Sequence, residues 1–307
     1  MPANFGDLDD DDAAPRPSAS GQASLAAGDV FDNRYRLVAV LGKGGAGTVW
    51  EAEYLEESGP RVVALKLVPI PSRTRAMRAH REISIGLGLD GPHFVRVYDA
   101  GIVPPFAYVS MERLHGEDLA NRLDRLGRLG IDETLFIGRQ LATAMSTAHA
   151  QNLVHRDLKP TNVFLARDAS GAETVKVLDF GVAKRLGVDA RVTASDTLLG
   201  APQYAAPEQI QNARTVDTRA DVWSIGAMMY RCLVGRRPFD GVGGALLATV
   251  LAKPHPPPTQ IAPDLPAALD EVFVKALAKD PDVRFATVDQ LVDALERVLG
   301  PTGPRTC

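Results

Sequence analysis

His155-Arg156-Asp157-Leu158-Lys159-Pro160-Thr161-Asn162 is the stretch whose reading decides the fold. Asp157 offers a carboxylate, Lys159 a compact positive charge, and Asn162 an amide oxygen that suits a hard cation. Further on, Asp179-Phe180-Gly181 adds a second carboxylate next to a glycine that can turn sharply. Asn162 and Asp179 together can hold magnesium, a lysine can neutralise phosphate, and one acid remains to orient a hydroxyl. That inventory is the one phosphoryl transfer requires.

Either piece alone has a plain explanation, a solvated His-Arg-Asp run or an ordinary turn. In this order and at this spacing the two resemble the catalytic loop and magnesium loop of the protein kinases. The resemblance covers residues 35 to 299 and implies an α+β, two-lobed fold with ATP in the cleft. The small lobe would hold five strands and one helix, and the larger lobe would be mainly helical.

Composition agrees with a globular chain and excludes other classes. With 307 residues, 45% apolar and 23% charged, the chain can bury a sizeable core. A formal charge of -4 argues against nucleic acid as a partner. Cys232 and Cys307 are the two cysteines, so no disulfide framework is expected and a reducing cytoplasm fits. The most apolar windows, such as 243 to 252, stop short of the roughly 18 residues that a spanning helix needs. No membrane segment is therefore expected here, although bacterial members of the family often carry an anchor beyond the kinase domain.

Residues 1 to 28 carry an aspartate cluster followed by proline and serine, with too little apolar material to offset ordering entropy. They read as a disordered tail, and residues 300 to 307 as a short tail, leaving a kinase domain over 30 to 299. Tyr35 to Leu41 reads as a strand. Gly42-Lys43-Gly44-Gly45-Ala46-Gly47-Thr48-Val49 then forms a glycine turn into a second strand, Trp50 to Leu55. Between strands, glycines make a flap whose backbone amides can approach phosphates; a dinucleotide fingerprint would lead into a helix instead.

In Val62-Val63-Ala64-Leu65-Lys66-Leu67-Val68, strand alternation puts Ala64 and Lys66 on one face. A lysine so embedded needs a partner unless it snorkels from an exposed edge. The resemblance supplies two partners, nucleotide phosphates and Glu82 from a helix over 74 to 87. Two more strands, 95 to 100 and 106 to 111, complete the small lobe over 35 to 112. Glu112 and Leu114 then fall in a hinge over 112 to 116, with Met111 behind the adenine and backbone groups for its edge.

The large lobe spans 117 to 299. Asp132 and Glu133 are expected to cap a long helix with apolar residues Leu135, Ile137, Leu141, Met145 and Ala148 at helical spacing. Thr287 and Gln290 read as a capping box for the last helix. Family position makes residues 182 to 206 an activation segment with Thr193, Ser195 and Thr197 as candidate phosphosites. It also gives Arg156 the phosphate-facing place, Asp221 the brace beneath the catalytic loop, and Glu208 with Arg284 a structural pair.

The resemblance thus implies a bacterial-type serine/threonine protein kinase that uses ATP with Mg2+, or Mn2+ in its place, on protein Ser/Thr acceptors. Lys66 would position phosphates, Asn162 and Asp179 would hold metal, Asp157 would orient the hydroxyl, and Lys159 would offset charge on the transferring group. Self-association would serve autophosphorylation. The alternative is a nucleotide-binding pseudokinase scaffold, for which the support is Ala201, where the family commonly has threonine.

Overall fold

The computed structural model describes residues 25–44, 47–56, 59–70, 89–179, 202–211 and 216–300. The expected helix over 74 to 87 with Glu82, the flap tip Gly45 and Ala46, the phosphosites Thr193, Ser195 and Thr197, and Ala201 and Cys307 lie outside them.

The small lobe is a sheet of six strands in the order β1-β2-β3-β4-β6-β5: β1 (Val30–Phe31), β2 (Tyr35–Gly44), β3 (Gly47–Tyr54), β4 (Arg61–Pro69), β5 (Val97–Val103) and β6 (Phe106–Glu112). The five expected strands are β2 to β6, and the short β1 extends the edge. Asp32 and Asn33 both take φ 53, a left-handed conformation that their short polar side chains tolerate, and this folds β1 back on β2. The Gly28 amide donates to the Leu37 carbonyl at 2.8 Å, so residues expected at the end of the tail are bonded to the sheet. A core of Phe31, Tyr35, Leu37, Trp50, Leu65, Leu67 and Tyr108 fills one side.

The large lobe begins with a second sheet, β7 (Gly116–Asp118), β8 (Val163–Arg167) and β9 (Glu173–Val177), which carries the catalytic and metal loops at its ends. Its helices are α1 (Leu119–Leu126), α2 (Ile131–Ala150), α3 (Pro207–Gln211), α4 (Arg219–Val234), α5 (Gly243–Ala252), α6 (Pro258–Ile261), α7 (Ala268–Ala276) and α8 (Val288–Leu299). Nearly every residue of α4 is buried, so it is the axis of this lobe, with α2, α7 and α8 packed around it. No helix among the described residues is long and apolar enough to cross a membrane.

The α2 cap differs from expectation. Gly130 occupies the N-cap, and Asp132 and Glu133 lie within the first turn, where they complement the helix dipole. Glu133 is drawn away by Arg122, a buried guanidinium that also binds Glu117 at 2.5 Å and Glu173 at 2.7 Å. At α8 the Thr287 hydroxyl accepts from the Gln290 amide at 3.2 Å, while the Gln290 side chain accepts from the Ala286 amide at 3.0 Å.

Candidate active site

The catalytic loop hangs between α2 and β8. Its turn is set by Arg156, whose φ of 64 is unusual for a side chain of that size. Asp221, at the start of α4 and fully buried, holds that turn. One of its oxygens accepts from the Arg156 amide at 3.0 Å, and the other accepts from the His155 amide at 2.9 Å and meets His149 Nε2 at 2.9 Å. A carboxylate is the side chain that can accept several such bonds at once.

His155 ties this loop to the strand before Asp179. The Asp157 amide donates to its Nδ1 at 3.2 Å, which leaves Nε2–H to donate to the Leu178 carbonyl at 2.9 Å. The Leu178 amide in turn donates to the Asn162 carbonyl at 2.9 Å. These bonds bring the two sequence motifs side by side.

Within the loop, Lys159 Nζ lies 3.0 Å from Asp157 Oδ2. Asn162 is buried, and its Nδ2 donates to the Asp157 carbonyl at 2.8 Å, which turns its amide oxygen away from that bond. Asp179, with φ 56, faces Lys66, whose Nζ sits 2.6 Å from both carboxylate oxygens. Lys66 is buried in β4 beside Ala64, as its embedded position in the sequence requires, and its partner among the described residues is Asp179. A carboxylate offers about four lone-pair sites, so Asp179 can serve a lysine and a cation together. An amide oxygen with a carboxylate is a hard donor set of the kind magnesium accepts, with phosphates and water completing the shell. The donors present therefore fit such an ion.

Above them, β2 and β3 form the flap. Gly47 has φ 116, and a Cβ there would lie 2.2 Å from the Leu67 carbonyl oxygen, so only glycine lets β3 pass β4 beside Lys66. Gly42 and Gly44 face open space instead. Leu41 is exposed at the flap's end, and Thr48 and Val49 pair with Leu67 and Lys66.

At the hinge, the Glu112 amide is committed to the Arg96 carbonyl at 2.9 Å, which leaves its carbonyl as the group for a base edge. The Glu112 carboxylate accepts from the Arg96 amide at 2.9 Å and from Lys176 Nζ at 2.5 Å. Lys176 also reaches the Phe94 carbonyl at 3.1 Å. Sequence reading missed this junction between hinge and β9. The available signal was the alternation of β9, which sets Thr174 and Lys176 on the face opposite Val175 and Val177. It also missed Arg113, which binds Glu51 of β3 at 2.9 Å, and His149 against Asp221. Leu114 follows Arg113, whose guanidinium donates to the Leu114 carbonyl.

Further from the cleft, Arg284 is wholly buried and grips Glu208 with two bonds of 2.6 and 2.7 Å. Its remaining donors go to the Ala278, Lys279 and Arg219 carbonyls. Gln209, next to Glu208, donates to the Arg156 carbonyl at 2.8 Å, which fastens the segment after Ala201 to the catalytic loop.

Comparison with known proteins bears on this arrangement. Residues 35–294 match the family described as protein kinase domain. The chain is 36% identical over 270 residues to the serine/threonine-protein kinase Pkn1 of Myxococcus xanthus, covering 86% of this chain and 38% of that protein. It is 36% identical over 281 residues to the serine/threonine-protein kinase PknJ of Mycobacterium tuberculosis, covering 90% of this chain and 47% of that protein. Against the serine/threonine-protein kinase PknE of the same species the identity is 32% over 268 residues, covering 86% and 46%. The chain thus spans less than half the length of each of these relatives.

Proposed function

The chain belongs to the protein kinase family, and from that premise we propose that it transfers the γ-phosphate of ATP to serine and threonine hydroxyls of proteins. The observation that carries the reading is the meeting of two loops. Asp157, Lys159 and Asn162 lie together on one, and the Leu178–Asn162 backbone bond sets Asp179 and Lys66 beside them.

Each side chain then has a task. Asp157 accepts the acceptor hydroxyl in a hydrogen bond and takes its proton as transfer proceeds. Lys159, bonded to Asp157, sits where it can offset charge on the transferring group. Lys66 positions the phosphates, and Asn162 and Asp179 would hold magnesium, or manganese in its place. The ion supplies a charge that screens the phosphate oxygens. Glu82 is proposed as a second partner of Lys66, Ala64 and Leu41 to Val49 as walls of the nucleotide site, and the Glu112 and Leu114 backbone as its hinge contacts. Asp221, Arg284 and Glu208 act structurally. On this reading the domain works in the cytoplasm, where ATP is held, on protein substrates and without nucleic acid.

The test is transfer from radiolabelled ATP with magnesium to a generic basic protein. Asp157→Asn should lower the rate by about 10² to 10⁴ while ATP still binds, the range that a positioned base contributes. Lys66→Met should abolish transfer through misplaced phosphates. Near wild-type transfer by Asp157→Asn would remove the assignment. ATP binding with no transfer by the wild-type chain would favour a scaffold.

Regulation is proposed to run through Thr193, Ser195 and Thr197. A phosphate near Arg156 gains charge-assisted bonds of the kind that order a loop. Thr193→Ala with Ser195→Ala should lower activity on an external substrate, an effect read beside phosphopeptide mapping by mass spectrometry. Active enzyme carrying no phosphate between residues 182 and 206 would refute it.

A further inference from the structure

Arg113 has no task in the mechanism above, yet it joins two parts of the small lobe's exit that lie 62 positions apart in the chain. Its Nε donates to Glu51 Oε2 at 2.9 Å, and its Nη1 donates to the Leu114 carbonyl. Glu51 belongs to β3, and Arg113 directly follows β6, where the chain leaves the small lobe. Both side chains are partly shielded from solvent, so the pair is screened less than one on an open surface.

The strand register fixes which face Glu51 occupies. On β3, Trp50 and Ala52 point into the small-lobe core, so alternation turns Val49 and Glu51 to the opposite face. Across the ladder Val49 stands opposite Lys66, and Glu51 stands opposite Ala64. Directly paired residues share a face, so Glu51 lies on the side that carries Lys66, next to the wall assigned to Ala64. A lone carboxylate there would repel a triphosphate. Arg113 cancels that charge and in the same bond ties β3, the second strand of the flap, to the hinge.

The second bond of Arg113 acts on the base edge. The Glu112 amide is held by the Arg96 carbonyl, and the Leu114 carbonyl is held by Arg113. The hinge still presents the Glu112 carbonyl, an acceptor, and the Leu114 amide, a donor without a backbone partner among the described residues. Adenine matches that order with its exocyclic amino donor and its N1 acceptor. Guanine presents the reverse, an O6 acceptor and an N1–H donor, and would set O6 against the Glu112 carbonyl. A Leu114 carbonyl released from Arg113 would add an acceptor for N1–H beside a donor for O6. Occupying it leaves guanine's polar edge unpaired, which is how a polar site rejects the wrong ligand.

We propose that Arg113 is a specificity-determining residue for the nucleotide: by bonding Glu51 and the Leu114 carbonyl it fastens the flap to the hinge and reserves the base edge for adenine over guanine. The proposal rests on the kinase reading above and deepens it at the phosphate donor.

The experiment follows transfer to the generic basic protein from ATP and from GTP, with dissociation constants of both nucleotides measured alongside. The wild-type protein should favour ATP in kcat/KM. Arg113→Ala should raise the KM for ATP severalfold with kcat near wild type, and should lower the ATP/GTP ratio about tenfold, the size that one charge-assisted contact carries. Arg113→Lys keeps a charge against Glu51 but lacks the planar fork that reaches two acceptors at once, so it should restore the KM and not the ratio. Because the ratio is internal to one protein, partial unfolding scales both nucleotides alike and leaves it unmoved. A wild-type protein that takes the two nucleotides alike, a ratio that Arg113→Ala leaves intact, or one that Arg113→Lys restores in full overturns the proposal while leaving the kinase reading in place. ATP binding without transfer overturns the kinase reading and leaves the ratio of dissociation constants as the measure of Arg113. Binding of neither nucleotide overturns both.

Discussion

The flap over the cleft and the floor beneath the catalytic loop serve the same proposed reaction but are built in opposite ways. The flap is a hairpin of β2 and β3 whose outer residues Val38, Val40 and Leu41 are about two-fifths exposed. Its core is a small aromatic and aliphatic cluster, and its proposed contribution to a nucleotide is backbone. The floor is a single carboxylate, Asp221, wholly buried and holding two loop amides and a histidine. The contrast teaches where each mutation should register. Floor changes strike stability and turnover together, whereas flap changes fall mainly on nucleotide affinity.

Asp221→Ala gives the largest effect. It leaves the His155 and Arg156 amides without their acceptor, each buried orphan costing about 1 to 3 kcal/mol. It also removes the bond that keeps Arg156 at φ 64, where a non-glycine residue costs on the order of 1 to 3 kcal/mol. A loss of at least about 3 kcal/mol is expected from denaturant melts, together with a collapse in turnover. If stability falls while turnover survives, the floor is a packing element and the contrast with the flap breaks.

Gly47→Ala and Gly44→Ala separate two kinds of glycine within the flap. At Gly47 the new methyl meets the Leu67 carbonyl at 2.2 Å and the backbone has φ 116, so a strain of roughly 1 to 3 kcal/mol is expected. β3 should shift against β4 and raise the KM for ATP severalfold. At Gly44 a Cβ meets nothing within 4 Å, so stability should hold within about 0.5 kcal/mol. Equal losses at the two positions would mean that the flap is uniformly strained, contrary to this geometry.

The sequence made the chemical set legible because phosphoryl transfer needs particular side chains in a particular order, and Asp157, Lys159, Asn162, Asp179 and Lys66 do meet. Lys66 could be read as needing a partner from alternation alone. That the partner in the described residues is Asp179 could not be, because 113 positions separate them in the chain. The Glu112–Lys176 junction was hidden for the same reason, each residue looking ordinary beside its neighbours. Asp132 and Glu133 misled as caps because their helix-start signal is real, but Arg122 recruits Glu133 from outside the helix. The Asp32-Asn33 turn was readable as a hairpin signal, and β1 escaped notice because two residues are too few to show alternation.

The smallest effect tests whether burial in the large lobe gives it a titration near pH 8. Lys279 donates to the Val250 carbonyl at 2.6 Å and lies 3.9 Å from the Phe239 ring centre and 4.9 Å from that of Trp223. Burial, and then the neighbouring Arg284 charge, bring its pKa down from 10.5 to about 8. An amine whose folded pKa is depressed binds fewer protons folded than unfolded between those values, so stability should rise as pH climbs from about 8. Cys232 opposes this at higher pH. Burial pushes its thiol from 9.0 up to about 12, so the folded state keeps a proton that the unfolded chain gives up above about 9. The two slopes therefore leave a window near pH 8 to 9 in which the lysine acts alone. Thermal melts across that window should show a shallow rise in Tm for the wild-type protein and a flatter line for Lys279→Met. The Cys232→Ala variant should keep the rise and lose part of the decline above it. An unchanged slope in Lys279→Met would show that the two rings and the carbonyl hold the ammonium charged throughout, so that burial in this lobe adds no titration near pH 8.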